Sequence, residues 1–285
     1  MSRNFPVPIQ LGISTCPNDT FAFHALITRA IDWRGLDFHV ELLDIQELNE
    51  RLFAGHLDIA KASFHAALLL AQECWVMPSG SALGFGVGPL LLAARAGTAP
   101  EPGEHQLTLC PGDLTTASLL FRLFYPQQTR VEQTRFSNIM PRLSAGDADF
   151  GVCIHEGRFT WPNAGLALVE DLGYRWEQET SCPLPLGGIV ARRSLPHHVI
   201  QTAQEVIFES IAFAMNNPGA ALPTMRSHAQ EFEDHVLMQH VDLYVNQWTR
   251  ELGAEGRRAL TELSRRAHDA GIVSAQTELA VFAGR

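Results

Sequence analysis

Arg51-Leu52-Phe53-Ala54-Gly55-His56-Leu57-Asp58-Ile59 returns later in the chain as Arg142-Leu143-Ser144-Ala145-Gly146-Asp147-Ala148-Asp149-Phe150. Each copy reads as the end of a helix, a glycine stop and the start of a buried strand. The glycine stands where a left-handed C-cap is needed, because it has no Cβ to clash there. The apolar runs that follow, Ile59-Ala60 and Phe150-Gly151-Val152, suit strands covered on both faces. Two copies so far apart predict two α/β lobes of similar design. Ligands of open α/β sheets bind beyond the carboxyl ends of the strands. The residues after each copy therefore matter most: Lys61-Ala62-Ser63-Phe64-His65 after the first, Cys153-Ile154-His155-Glu156 after the second.

Working outward, the first lobe reads as strands at 9–14, 38–43 and 59–63. The turn Thr15-Cys16-Pro17-Asn18-Asp19 leads into a helix that Asn18 or Asp19 can cap. Phe23, Leu26, Ile27 and Ala30 give that helix an apolar stripe. Helices at 46–54 and 64–72 complete a β-α-β-α-β order, which implies parallel pairing. A glycine- and proline-rich segment at 79–89, with Gly84-x-Gly86-x-Gly88, marks a hinge or a close backbone approach to a ligand. It lacks the spacing and following helix of a dinucleotide fingerprint. A strand at 90–94 and a loop at 96–104 then place the lobe boundary near residue 96. The second lobe repeats the plan with strands at 107–110, 131–136 and 150–154. A strand at 189–191 returns the chain to the first lobe, and helical signals dominate after 196. The expected fold is α/β and two-lobed with a central cleft, the bilobal clamp of periplasmic-type binding proteins. Residues 1–95 with 189–285 make a discontinuous first lobe, and 96–188 the second.

Composition narrows the function. With 46% hydrophobic and 18% charged residues, the 285-residue chain reads as well-packed and globular. A net charge of −10 argues against nucleic acid and against anionic membrane surfaces as partners. A local site can still bind a small anion. The five cysteines, Cys16, Cys74, Cys110, Cys153 and Cys182, have neither disulfide nor zinc-site spacing, so thiols in a reducing cytoplasm are expected. No signal peptide is visible at the N-terminus. The longest apolar stretch, 83–94, falls short of the ~20 residues that a membrane span needs. The reading is of a cytoplasmic protein with a small-molecule partner and no membrane or nucleic-acid partner; oligomeric state is left open.

Three clusters carry candidate chemistry. Thr115-Thr116-Ala117 opens a helix after a strand and a Pro-Gly turn, where free amides and the helix dipole favour an anion. A substrate carboxylate would accept from the Thr116 and Ala117 amides and from a threonine hydroxyl; a plain N-cap is the competing reading. Lys61 sits in an apolar strand, costly unless its charge finds a partner or a solvated cleft. It is either a substrate contact or half of a structural ion pair. His155 follows the second copy at a strand end, and histidine titrates near neutral pH, as a general base must.

These segments resemble the 1,4-dihydroxy-6-naphthoate synthase family of the futalosine route to menaquinone. The resemblance rests on Ser14-Thr15-Cys16-Pro17-Asn18-Asp19-Thr20-Phe21, Lys61-Ala62-Ser63, Gly86-Val87-Gly88-Pro89-Leu90 and Thr115-Thr116-Ala117. It continues in Ile154-His155-Glu156-Gly157-Arg158-Phe159-Thr160, Pro183-Leu184-Pro185-Leu186-Gly187 and Tyr244-Val245-Asn246, in family order over nearly the whole chain. Thr15, Ala62 and Phe85 depart from the family pattern. The resemblance implies a two-lobed type II periplasmic-binding-protein-like fold and a lyase that cleaves a carbon–carbon bond of cyclic dehypoxanthine futalosine, with no metal or organic cofactor. It implies His155 as proton acceptor and Lys61, Ala62, Ser63, Thr116 and Ala117 as substrate contacts. A chorismate dehydratase of the same pathway and a non-catalytic carboxylate-binding protein are the alternatives.

Overall fold

The computed structural model describes residues 7–95, 97, 101–126, 130–154, 157–228, 233–274 and 277–283. Among the described residues, eleven strands form two sheets: β1 (Val7–Ser14), β2 (Leu36–Leu43), β3 (Ile59–Ser63), β4 (Cys74–Val76), β5 (Ala82–Gly84), β6 (Leu90–Ala93), β7 (Leu107–Cys110), β8 (Arg130–Gln133), β9 (Phe150–Cys153), β10 (Ala167–Asp171) and β11 (Leu184–Arg192). The first sheet runs β2-β1-β3-β11-β4, with β5 also on β11; the second runs β10-β6-β9-β7-β8. In each, three parallel strands in the order second-first-third meet an antiparallel fourth, β11 in one sheet and β6 in the other. No helix among the described residues is long and apolar enough to cross a membrane.

The doubled phrase is one structural device used twice. Gly55 and Gly146 both adopt positive φ, +78° and +82°. The amides beyond them turn back alike: His56 donates to the Arg51 carbonyl and Asp147 to that of Arg142, both at 3.0 Å. Leu52 and Leu143 are buried at matching positions. Arg51 pairs with Glu41 and Arg142 with Glu132, each on the neighbouring strand. The Asp58 carboxylate accepts from the Gln10 amide and the Asp149 carboxylate from the Leu107 amide, both at 2.8 Å. Each aspartate thus adds a side-chain rung just before its parallel ladder begins, at Leu11↔Ile59 or Thr108↔Phe150. An otherwise orphaned strand amide gains an acceptor.

The sheets divide the chain elsewhere than the expected 95/96 and 188/189. β6, expected in the first lobe, pairs antiparallel with β9 and β10 of the second sheet, so the first crossing lies between Gly84 and Leu90. β11 already pairs with β5 at Leu184, so the return precedes that residue. The run Leu90-Leu91-Leu92-Ala93 is apolar on both faces, and such a strand fits either sheet equally well. Helices at His197–Asn216 and Gly253–Asp269 then pack back against β2 and β11. One buried cluster runs through both lobes, joining Phe64 and Leu68 to Leu120, Phe121 and Trp176.

Candidate functional site

The carboxyl ends of the parallel strands of both sheets open onto a cleft with about 720 Å³ of empty space, part of it continuous with solvent. From the first lobe it is lined by Ser14, Asn18, Asp19, Ile45, Lys61 and Ser63. From the second come Thr115, Thr116, Ala117 and Ile154; the first crossing adds Val87, Gly88 and Pro89, and β11 adds Leu186 and Gly187. His240 and Tyr244 reach it from the Asp234–Tyr244 helix.

Strand alternation decides what the first copy of the phrase contributes. Lys61 and Ser63 share one face of β3 and line the cleft. Ala62, expected as a substrate contact, points the other way and is buried in the core cluster. Lys61 is 5% exposed, and its ammonium finds the partner that its burial demands: Asp19 Oδ1 lies 2.5 Å from Nζ. Nζ also donates to the Gly80 carbonyl at 3.2 Å. The ion pair with Asp19 is therefore present, and it forms part of the cleft wall. Asn49, fully buried on the Ile45–Phe53 helix, fixes Ser63 from behind. Its amide donates to Ser63 Oγ at 3.0 Å and its oxygen accepts from the Ser63 amide at 3.1 Å.

Asp19 does not cap the helix that it begins. That helix runs Pro17–Ala22 behind a Cys16 N-cap with no side-chain cap bond, so Asn18 and Asp19 lie in its first turn and face the cleft.

On the second-lobe wall, the Thr116–Phe124 helix presents its N-terminus. Thr115 is the N-cap: its Oγ1 accepts from the Ser118 amide at 3.2 Å and donates to the Gly112 carbonyl at 2.8 Å. Thr116 Oγ1 donates to the Leu186 carbonyl of β11 at 2.5 Å and accepts from the His65 amide at 3.4 Å. A hydroxyl has one proton, so neither threonine can also donate to a carboxylate. This corrects the expectation of a hydroxyl contact. What remains for an anion is the pair of backbone amides, Thr116 and Ala117, which donate to no protein acceptor among the described residues.

His65 stands behind this wall. Its ring Nδ1 lies 3.3 Å from the Thr115 carbonyl, and burial pushes its pKa down to about 4, so it is a neutral Nδ1–H donor at pH 7. Burial likewise raises the Cys153 thiol to about 12, which leaves it un-ionised. Phe85 is half exposed and rests edge-on against Trp248 outside the cleft. His155 and Glu156 lie outside the described residues; their neighbour Ile154 lines the cleft. Asn18, Asp19 and His240 also line the cleft; the sequence offered Asn18 and Asp19 only as helix caps and His240 not at all. For His240 the sequence carries no signal, because it is one of twelve histidines and lies far along the chain from its partners.

The chain is similar to known proteins over more than nine-tenths of its length. It is 39% identical over 266 residues to 1,4-dihydroxy-6-naphthoate synthase of Thermus thermophilus, covering 93% of this chain and 96% of that protein. It is 37% identical over 273 residues to the synthase of the same name from Streptomyces coelicolor, covering 94% and 95%. A crystal structure of a protein from Archaeoglobus fulgidus superposes with a TM-score of 0.87 at 27% identity, covering 96% of this chain and all of that one. The alkanesulfonate-binding protein of Xanthomonas axonopodis pv. citri, solved with MOPS bound, superposes at 0.70 with 11% identity, covering 96% of each chain. The latter likeness shows the two-lobed periplasmic-binding-protein fold. A family profile described as menaquinone biosynthesis matches residues 9–269, and the chain belongs to that family.

Proposed function

We propose that this chain is a carbon–carbon lyase that converts cyclic dehypoxanthine futalosine to 1,4-dihydroxy-6-naphthoate in menaquinone biosynthesis. The names of its full-length relatives support the reaction. The observation that carries the site is the paired amides of Thr116 and Ala117 at a helix N-terminus, facing a cleft with largely apolar walls. Such a site takes a carboxylate on a flat, apolar body. Ile45, Val87, Ile154 and Leu186 supply apolar surface for the ring system.

His155, next in the chain after the cleft residue Ile154, removes a proton in this reading. The bond to the sugar-derived part then breaks, and aromatisation of the second ring drives the step. General-base assistance is typically worth ~10²–10⁴ in rate. Protein groups alone carry the reaction in this reading, with no metal or organic cofactor. The absence of a disulfide among the described residues fits a reducing cytoplasm.

Incubating the purified protein with cyclic dehypoxanthine futalosine and following naphthoate by absorbance and mass spectrometry tests the reaction. Formation of 1,4-dihydroxy-6-naphthoate is expected. Conversion of chorismate instead, or stoichiometric binding without turnover, would overturn it.

A further inference from the structure

Four side chains on the first-lobe wall form one hydrogen-bonded series that proton removal at His155 does not use. His240 Nε2 lies 3.1 Å from Asn18 Oδ1, and Asn18 Nδ2 donates to Asp19 Oδ1 at 3.1 Å. Lys61 Nζ donates to the same carboxylate oxygen at 2.5 Å. All four residues are buried to nine-tenths or more, and all four line the cleft.

The chemistry of the groups orients the series. A carboxylate oxygen only accepts, so the Asn18 nitrogen must face Asp19 and the Asn18 oxygen must face His240. His240 Nε2 therefore carries a proton. Asp19 Oδ1 accepts twice, while Oδ2 has no protein donor among the described residues. Of the three Lys61 ammonium protons, one goes to Asp19 and one to the Gly80 carbonyl, and the third has no protein acceptor among the described residues. The wall thus holds one charged acceptor beside one charged donor, with no net charge. A second anion would meet Asp19 and a cation would meet Lys61. The group that satisfies both is a neutral hydroxyl, which donates one hydrogen bond and accepts others.

We infer that this wall is the subsite for the hydroxyl-bearing, sugar-derived part of the substrate: a hydroxyl donates to Asp19 Oδ2 and accepts from Lys61 Nζ. His240 is a positioning residue that holds Asn18, and through it Asp19. The inference rests on the proposed reaction and deepens it by fixing the orientation of the substrate. The carboxylate end lies on the second lobe at Thr116 and Ala117, and the polyol end lies on the first. Each lobe grips one end, and only a molecule with both ends engages both lobes. A site built to hydrogen-bond a hydroxyl rejects an analogue without it, because its own buried groups are left unpaired.

The test compares two ligands by calorimetry at equilibrium. One is cyclic dehypoxanthine futalosine, measured in a His155→Asn background so that it is not consumed. The other is 1,4-dihydroxy-6-naphthoate, which keeps the carboxylate and lacks the polyol. Asp19→Leu with Lys61→Met replaces the pair by apolar groups of similar size, a change that buried ion pairs often tolerate. The double variant should weaken the futalosine derivative at least about tenfold while moving the naphthoate less than about threefold. His240→Leu should weaken the futalosine derivative several-fold and leave the naphthoate alone, and His240→Gln, which keeps a donor toward Asn18, should restore it. Parallel losses for both ligands, or no loss for either, would overturn the subsite. Should the double variant fail to melt cooperatively, the two His240 variants decide the question. Absence of turnover by the unmodified protein would count against the reaction alone, since the comparison of affinities does not require turnover.

Discussion

Gly88 and Gly173 meet backbone to backbone. A Cβ on Gly88 would fall 2.1 Å from the Gly173 Cα, and one on Gly173 would fall 2.4 Å from the Gly88 Cα. Gly88 lies in the first crossing between the sheets, and Gly173 in the first turn of the Leu172–Thr180 helix. The Leu172 amide donates to the Pro89 carbonyl at 3.0 Å beside them. This contact seats the crossing segment, whose Val87, Gly88 and Pro89 line the cleft. The glycine-rich run thus serves a close approach of backbone to backbone at Gly88.

Gly88→Ala and Gly173→Ala must separate two main chains, and each should cost about 3 kcal/mol or more, above the ordinary range for overpacking. Gly86→Ala is the internal comparison: its φ is +70°, but a Cβ there meets nothing within 4 Å. Its cost should be only the left-handed penalty of about 1–2 kcal/mol. Urea unfolding of the three variants checks the order, and a Gly88→Ala protein as stable as Gly86→Ala would remove the contact from the account.

Asp58→Ala and Asp149→Ala delete the same rung from different sheets. Each leaves a strand amide without its acceptor and should cost about 1–3 kcal/mol. The two share no partner, so the double variant should show the sum within about 0.5 kcal/mol. Chemical denaturation of the three proteins measures this. A large difference between the single variants would mean that the two copies do different work.

His65 gives the protein an acid-sensitive joint between its lobes, because its ring meets the Thr115 carbonyl and its amide meets Thr116 Oγ1. Its pKa falls from 6.5 in the unfolded chain to about 4 in the fold, through burial and the nearby Arg122 charge, opposed by hydrogen bonding to Thr115 and by Asp113. Between these values the unfolded chain binds the extra proton. Stability is therefore complete above pH 6.5 and declines as pH falls toward 4, by up to roughly 3 kcal/mol. His65→Asn, which keeps an N–H near the Nδ1 position, should flatten that limb in denaturation series run from pH 7 to pH 4. An unchanged slope would show that other groups set the acid response.

Thr116→Val removes the hydroxyl that donates to Leu186 but keeps the amide at the cleft. It should cost about 1 kcal/mol of stability and change naphthoate affinity only a few-fold. Calorimetry and thermal melts read both effects. A loss of affinity above a hundredfold would restore the hydroxyl as a carboxylate ligand.

Much of the fold was legible because the doubled phrase encodes local events: a glycine C-cap, a buried leucine and an aspartate before a strand. The crossing points were not legible. Leu90–Ala93 is apolar on both faces, and nothing local tells such a strand which sheet it joins. Along the Lys61-Ala62-Ser63 motif, Lys61 and Ser63 line the cleft, but alternation sends Ala62 into the core. Asn18 or Asp19 read as a cap because Asn and Asp side chains favour the N-cap position; the ion pair of Asp19 with Lys61 depends on tertiary placement. His240 reaches Asn18 only through the docking of a helix from the far end of the chain.

Steady-state turnover of cyclic dehypoxanthine futalosine by the unmodified protein and by His155→Asn tests the central claim most directly, with the melting temperature of each measured alongside. The account predicts naphthoate formation by the unmodified protein and a loss of at least about a hundredfold in kcat for His155→Asn, with both proteins equally stable and both still binding the product. Turnover by His155→Asn at the unmodified rate would contradict it.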